Sequence, residues 1–402
     1  MVVESYAQLA AEGYLVIRPR SSTRVTERPV PTAARGTVRA TLPARYDFHA
    51  GRPDLGEFPR SIWLRSVRRA MNLAPSARLD YDDPAGIPEL REALAGYLNR
   101  VRGAATDPGL VIVCNGFSQG LGLLGQVLSK MGSRRLAVED PSHPGSRQIV
   151  EAAGLEIVAV AVDEEGIRVD VLSRTAADAV LVTPAHQYPT GVVLAPEPRT
   201  ALIDWAIASN TLIIEDDYDA EYRFDRQPIG ALHGLAPDRV VYGGSASKTL
   251  APGLRLGWLV VPPWLVEQVA AAKAQADRGS SALEQLALAD FLAAGELDRH
   301  LRRMRPIYQR RRDALLDALG WWLPGLMPMG TAAGLHLVAR LPPELDEGTI
   351  VTRAAAASIA VYGMASCTVA STSGPGALVL GYGGMSESAI RAGIQALARA
   401  IV

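Results

Sequence analysis

The stretch VVYGGSASKTLAPGLRLGW, residues 240–258, decides how the rest of the chain is read. Residues 240–244 are a short apolar run of the kind that forms a buried strand, and the small residues after it open a turn carrying Lys248. The chain holds three lysines, Lys130, Lys248 and Lys273, against 38 arginines, so lysine is not its ordinary surface charge. If the preceding strand is central, a lysine among Gly243, Gly244, Ser245 and Ser247 is drawn out of water. It must then pair, lose its proton or be bound covalently.

Working outward, similar apolar runs recur at VIVC (111–114), LAVED (136–140), IVAVAV (157–162), AVLVTP (179–184), LIIEDD (212–217) and GWLVV (257–261). Helical patterns fall between them at 119–130, 146–153 and 196–209. The alternation predicts an α/β fold, a mostly parallel sheet with helices on both faces. After Gln285 the pattern becomes one long arginine-studded helix through Leu319, then the short strands LHLVARL and ALVLGY and a last helix from Ser386. That predicts a smaller C-terminal α+β domain.

At the other end, Val3, Tyr6, Ala7, Leu9 and Ala10 fall at helical spacing before Gly13, a C-cap signal. Residues 14–17 and 23–25 then alternate like a small hairpin. Residues 28–45, rich in Pro, Ala and Arg without a period, read as a linker. The expected division is 1–27, a small helix and hairpin; 28–45, linker; 46–285, large domain; and 286–402, small domain.

Composition narrows the function. With 48% hydrophobic and 21% charged residues the chain reads as a soluble globular protein, and a formal net charge of -1 excludes a global polyanion-binding field. Cys114 and Cys367 stand alone, with no CxxC and no Cys/His cluster, so neither a disulfide framework nor a zinc site is expected. The N-terminus has no signal-peptide pattern and no apolar run is long enough to span a bilayer, which predicts a cytoplasmic protein.

In open α/β sheets ligands gather where strands end and helices begin. After VIVC comes NGFSQG (115–120), a glycine turn opening a helix whose free N–H groups suit a phosphate, though such a turn is often merely structural. After LIIEDD comes Tyr218, within EDDYDAEYRF. Such an acidic run is commonly a solvated loop or a cation site, but Asp216 closes an apolar strand and so can face a cationic group in the crevice. Arg255, seven residues beyond Lys248, supplies a fixed cation. Taken together, Ser118, Ser245, Ser247 and Arg255 cradle a phosphate, Asp216 serves a pyridine nitrogen, Tyr218 a ring hydroxyl and Lys248 an aldehyde. Those needs describe pyridoxal 5'-phosphate.

Residues 46–402 resemble the class I/II aminotransferases, fold type I proteins that bind pyridoxal phosphate. The matching motifs are Tyr81 with Gly86 and Leu90-Arg91, Glu139-Asp140-Pro141, TPAHQYPTG (183–191) and SASK (245–248) with Arg255. The wording of EDDYDAEYRF, TPAHQYPTG and LRRMRPIYQRRRDAL is most similar to the MocR-type branch of the GntR regulators. The resemblance implies Lys248 as the lysine of the internal aldimine, Asp216 as partner of the ring nitrogen and Tyr218 as donor to the ring oxygen. It implies a phosphate site from Arg255, Ser245, Ser247, Phe117 and Ser118, with Tyr81 reaching it from the neighbouring subunit of a homodimer. His143 stands where the family usually stacks a tyrosine on the ring.

Residues 2–25 then resemble the last helix and the wing of a winged helix-turn-helix, with Arg18, Arg20 and Arg24 on the wing. The family's preceding helices do not occur before this segment, so DNA binding is expected only where they are present; a solvated tether is the other reading. Where an aminotransferase usually has an arginine in L-R-L-G-F to clamp a substrate carboxylate, this chain has LVLGY (378–382), with Val379 at that place. Arg353 or a partner-subunit arginine is the alternative clamp. The expected role is an effector-sensing domain of a transcription regulator, in which an amine or amino acid forms an external aldimine; the alternative is a stand-alone aminotransferase.

Overall fold

The structure is a computed structural model that describes residues 2–18, 21–26, 44–224, 229–330, 332–369 and 376–401. The chain divides into two units, Met1–Pro43 and Ala44–Val402. In the first, helix α1 (Val2–Ala11) ends as the glycine predicts. Gly13 takes φ +76°, its amide donates to Ala10 and that of Tyr14 donates to Leu9, closing the helix in a left-handed turn. Strands β1 (Leu15–Val16) and β2 (Arg24–Val25) pair antiparallel, Leu15 opposite Val25. Arg18 lies between them and Arg24 in β2; Arg20 and most of the expected linker lie outside the described residues.

The second unit begins with β3 (Tyr46–Asp47), α2 (Arg60–Leu73) and α3 (Pro88–Arg102). Then follow β4 (Val111–Cys114), α4 (Phe117–Lys130), β5 (Arg135–Asp140), α5 (Pro144–Ala152), β6 (Glu156–Asp163), β7 (Gly166–Ile167) and α6 (Val169–Leu172). Next come β8 (Ala179–Val182), α7 (Pro196–Ala208), β9 (Leu212–Asp217), β10 (Val240–Ser245), β11 (Gly257–Val260) and α8 (Val266–Asp277). The chain closes through α9 (Ala282–Ala293), α10 (Glu296–Trp322), β12 (Met327–Met329), β13 (His336–Arg340), α11 (Glu347–Ala356), β14 (Ile359–Ala360), β15 (Tyr362–Gly363), β16 (Ala377–Gly381) and α12 (Glu387–Ile401).

The large sheet runs β4-β11-β10-β9-β8-β5-β6-β7. Its centre is parallel, while β11 is antiparallel to both neighbours. A parallel return needs a long crossover, usually a helix, and the short turn that carries Lys248 allows only a direct reversal. Helices cover both faces. On β9, Ile214 packs with Leu121, Leu124 and Val269 of α4 and α8, while Ile213 packs with Leu202 and Ala206 of α7. Burial on both faces is why these strands read as continuous apolar runs.

The smaller lobe is the antiparallel sheet β12-β13-β16-β15, with β3 pairing in parallel with β14 beside it. One expected element differs. The long helix read from Gln285 through Leu319 is two helices, because Gly295 adopts φ +68° between α9 and α10 and turns the chain before helical geometry resumes. The apolar period continues across the break, so periodicity alone joined them.

Candidate functional site

A cavity of about 320 Å³ opens at the C-terminal ends of β4, β5, β8, β9 and β10 and extends to the smaller lobe. One end is built by close backbone approach. Gly116 takes φ +82° to turn β4 into α4, and a side chain there would meet the Arg255 guanidinium at about 3.0 Å. The Phe117 ring lies on the backbone of β10, where a Cβ on Gly243 would come within 2.3 Å of it. Ser118, Ser245 and Ser247 line the same end, at the N-terminus of α4, whose first N–H groups have no partner within the helix. Arg255 donates to the Asn115 carbonyl at 2.6 Å and has no carboxylate partner among the described residues. A helix N-terminus, hydroxyls and a spare guanidinium make an anion site.

Lys248 and Asp216 occupy the middle. The Lys248 amine lies against Gly51, where a Cβ would be 3.1 Å from Nζ, and it makes no hydrogen bond among the described residues. Burial pulls its pKa down, against the pull of Asp219 and Asp216. Asp216 also lacks a hydrogen-bond partner among the described residues. Burial, then the neighbouring Asp217, push its carboxyl up to about 8, with Lys248 opposing. Its strand neighbours face the other way, as the period of two requires. Glu215 accepts from the amides of Leu232 and His233, and Asp217 is bonded to Arg102 and Tyr242, each at 2.7 Å. Of four consecutive acidic and phenolic residues, only Asp216 and Tyr218 line the cavity.

Behind Tyr218 lies a group that sequence reasoning missed. Tyr218 Oη is 3.0 Å from Nδ1 of His186, which is 3.1 Å from both oxygens of Asp219. The ring of His336, from β13, packs 5.2 Å from that of His186. Asp219 is the next residue, but His186 and His336 lie far from Tyr218 in sequence, and no local pattern joins them. Glu139, buried and pushed up to about 7 by that burial, accepts from both the amide and the hydroxyl of Thr183 and ties β5 to the TPAHQYPTG loop.

His143 lines the cavity as expected and also caps α5, its Nδ1 accepting from the Ser146 amide. Its ring meets Tyr188 edge-on at 5.2 Å, and burial followed by the Lys248 charge keeps its pKa low. The smaller lobe closes the far end with Val379 of β16, Tyr362, Ser366 and Cys367, and His49 joins them. Arg147 reaches this end, where its guanidinium is bonded to the carbonyls of Ser142, Ser366 and Cys367. Arg353 is not there; it donates to the carbonyl of Ile401. Tyr81 is 80% exposed, outside its own chain's cavity, with the Arg278 guanidinium 5.6 Å over its ring.

This donor set fits pyridoxal phosphate: an amine with no partner, a carboxyl whose raised pKa a pyridinium would bring down, and an anion site with a spare cation. The comparisons agree. The aminotransferase class I and II family matches residues 48–397. The chain is 34% identical over 407 residues to the HTH-type transcriptional regulator YhdI of Bacillus subtilis, covering 98% of this chain and 86% of that one. It is 32% identical to the probable rhizopine catabolism regulatory protein MocR of Rhizobium meliloti, covering 100% of this chain and 86% of that one. The crystal structure of an archaeal alanine:glyoxylate aminotransferase superposes with a TM-score of 0.82 at 26% identity, covering 90% of this chain and 91% of that one. The chain therefore belongs to the aminotransferase class I and II family and, within it, to the MocR-type regulators.

Proposed function

We propose that this chain is the pyridoxal-phosphate-binding, effector-sensing part of a DNA-binding transcription regulator, and that its effector is a primary amine or amino acid. The observation that carries the reading is Lys248 Nζ, unpartnered in the cavity between Asp216 and the Arg255 end. Pyridoxal phosphate supplies an aldehyde that condenses with primary amines and a ring that accepts electrons. Arg255, Ser118, Ser245, Ser247 and the first turn of α4 would hold the phosphate. Asp216 would accept the hydrogen bond of a protonated ring nitrogen, a cation that favours its carboxylate form. Tyr218 would donate to the ring oxygen and His143 would lie beside the ring.

Burial, which lowers the pKa of Lys248, favours the unprotonated amine, the form that attacks a carbonyl. With its nitrogen free, Lys248 would be able to accept a proton close to Asp216. Val379 offers no fork for a carboxylate, so the site orients an amino acid loosely, which favours sensing over turnover. Arg18 and Arg24 are suited to DNA phosphates, a role that predicts binding which weakens steeply with salt. Among the described residues no helix is long and apolar enough to cross a membrane.

An absorbance scan of the purified protein tests the reading. A visible cofactor band is expected, lost in Lys248→Ala and altered by an amine effector. No band, or the same band in Lys248→Ala, would sink it. Sustained turnover of an amino donor with a keto acid would assign the chain to the aminotransferases instead.

A further inference from the structure

His186, Asp219 and His336 are 3%, 1% and 2% exposed, and no step above uses them. Their donor atoms all lie within 4.8 Å of one another. Three buried titratable side chains in one place are costly unless each polar atom is engaged.

The hydrogen bonds fix where the protons sit. A carboxylate only accepts, so the nitrogen that Asp219 faces with both oxygens, His186 Nδ1, carries the hydrogen. The same N–H lies 3.0 Å from Tyr218 Oη, which can only accept from it. The phenol's own hydrogen is then left to point elsewhere, and Tyr218 lines the cavity. His336 is neutral on two grounds. Its Nε2 donates to the Pro189 carbonyl at 3.1 Å, and its Nδ1 is buried with no partner among the described residues. Burial, and then the neighbouring His186, push its pKa down to about 4. Gly334, at φ +72°, presses its backbone onto the pair, where a Cβ would lie 2.2 Å from the His186 ring and 2.5 Å from Asp219. The titratable groups that touch His186 are thus Asp219 and Tyr218 beyond β9 and His336 on β13; Tyr188 packs against Tyr218 and His336, and the charge of Lys248 acts on His336.

We propose that His186, fixed by Asp219 and packed by Gly334 and His336, is a positioning residue. It directs the Tyr218 hydroxyl into the cavity and strengthens the hydrogen bond that the hydroxyl donates to the bound cofactor. A phenol that accepts from an N–H is a stronger donor through its own O–H. The proposal rests on the reading of the cavity as a pyridoxal-phosphate site. It also makes Tyr218 answer to the smaller lobe, because His336 and Gly334 belong to the same segment as β13, and β13 pairs with the strand that holds Val379.

The test is a pH titration of the visible absorption band of the holoprotein, with circular dichroism as a check on folding. A donor to the ring oxygen favours the form in which that oxygen is most negative, the form left when the neighbouring lysine nitrogen loses its proton. Losing the donor therefore raises the midpoint. Tyr218→Phe is expected to raise it by about one pH unit, and His186→Phe by a comparable amount. His186→Asn, whose amide N–H can take the place of Nδ1, is expected to restore most of the shift. Asp219→Asn is expected to shift in the same direction as His186→Phe, since nothing then fixes the proton on Nδ1. A folded His186→Phe protein with the parent midpoint, alongside a shifted Tyr218→Phe, overturns the proposal alone. So does one equivalent of tightly bound metal whose removal by a chelator moves the midpoint, because a coordinated Nδ1 carries no hydrogen. Absence of the band in the parent protein removes the cofactor reading and this proposal with it.

Discussion

Asp216 is buried without a cationic partner strong enough to hold it ionised, and that sets opposite signs for stability and function. Its carboxyl is raised from an ordinary 3.8 to about 8, burial being the first cause and Asp217 the second. Between those values the folded chain holds a proton that the unfolded chain has released, so this group's contribution to stability falls as pH rises through the window. Asp216→Asn removes the fall. Without cofactor, the variant is expected to melt about 2–4 °C above the parent at pH 8 and level with it at pH 4, read by thermal denaturation. Its cofactor dissociation constant should rise about a hundredfold, the loss of one charge-assisted hydrogen bond, read by absorbance titration. A second residue-scale prediction concerns Val379→Arg, which brings a guanidinium to the far end of the cavity. An α-amino acid should then perturb the cofactor band at about tenfold lower concentration, while a carboxylate-free amine should act as before. Both positions were legible in the sequence, Asp216 because it closes an apolar strand, Val379 because it breaks a motif. His186 was not, since its significance lies in contacts with Tyr218, Asp219 and His336 across the fold.

At the scale of elements, the phosphate end depends on α8, which never reaches it. Lys273, fully buried in α8, donates to Gln119 Oε1 at 2.8 Å, Asp277 Oδ2 at 2.6 Å and Ser280 Oγ at 3.0 Å. The same Asp277 oxygen accepts from Asn115 and Gln119, and Gln119 Oε1 accepts from the Asn115 amide. The helix thereby holds the turn from β4 into α4 in shape. Breaking a buried pair costs about 3–5 kcal/mol; Asp277 is partly exposed, so Lys273→Met should cost about 2–3 kcal/mol in chemical denaturation. Cofactor binding should weaken about tenfold through the loosened turn, because a displaced donor loses roughly one such hydrogen bond. Gly243→Ala should injure the same end differently, by driving a methyl into the Phe117 ring at about 1–3 kcal/mol, also read by denaturation. The scarcity of lysine marks Lys248, yet Lys273 is equally unusual and its role was invisible, because the turn it holds through Gln119 belongs to another helix. The direction of β11 escaped for a related reason: apolar runs give strands and not their sense, which the length of the connecting turn decides.

At the scale of the molecule, Tyr81 is the residue whose place one chain does not explain. It sits 80% exposed at the end of a segment that also shows Leu64, Met71, Leu73 and Leu79 to solvent, more large apolar side chains than one short segment ordinarily leaves in water. The resemblance assigns that surface to a homodimer in which Tyr81 completes the partner's phosphate site; no periodicity or spacing within the sequence reveals which residues cross. A hybrid dimer separates a crossing residue from a merely exposed one. Chains carrying Lys248→Ala and chains carrying Tyr81→Ala are each impaired alone, the first in both sites by loss of the amine, the second in both by loss of the phenol. If Tyr81 serves the neighbouring site, a mixed dimer gathers both lesions into one site and leaves the other with Lys248 from one chain and Tyr81 from its partner. One parent-like site per hybrid is then expected, seen as the cofactor band at half the parent's stoichiometry and with the parent's affinity. If Tyr81 served only its own chain, neither site of the hybrid would be whole, and the band would keep the weakened affinity of the Tyr81→Ala protein.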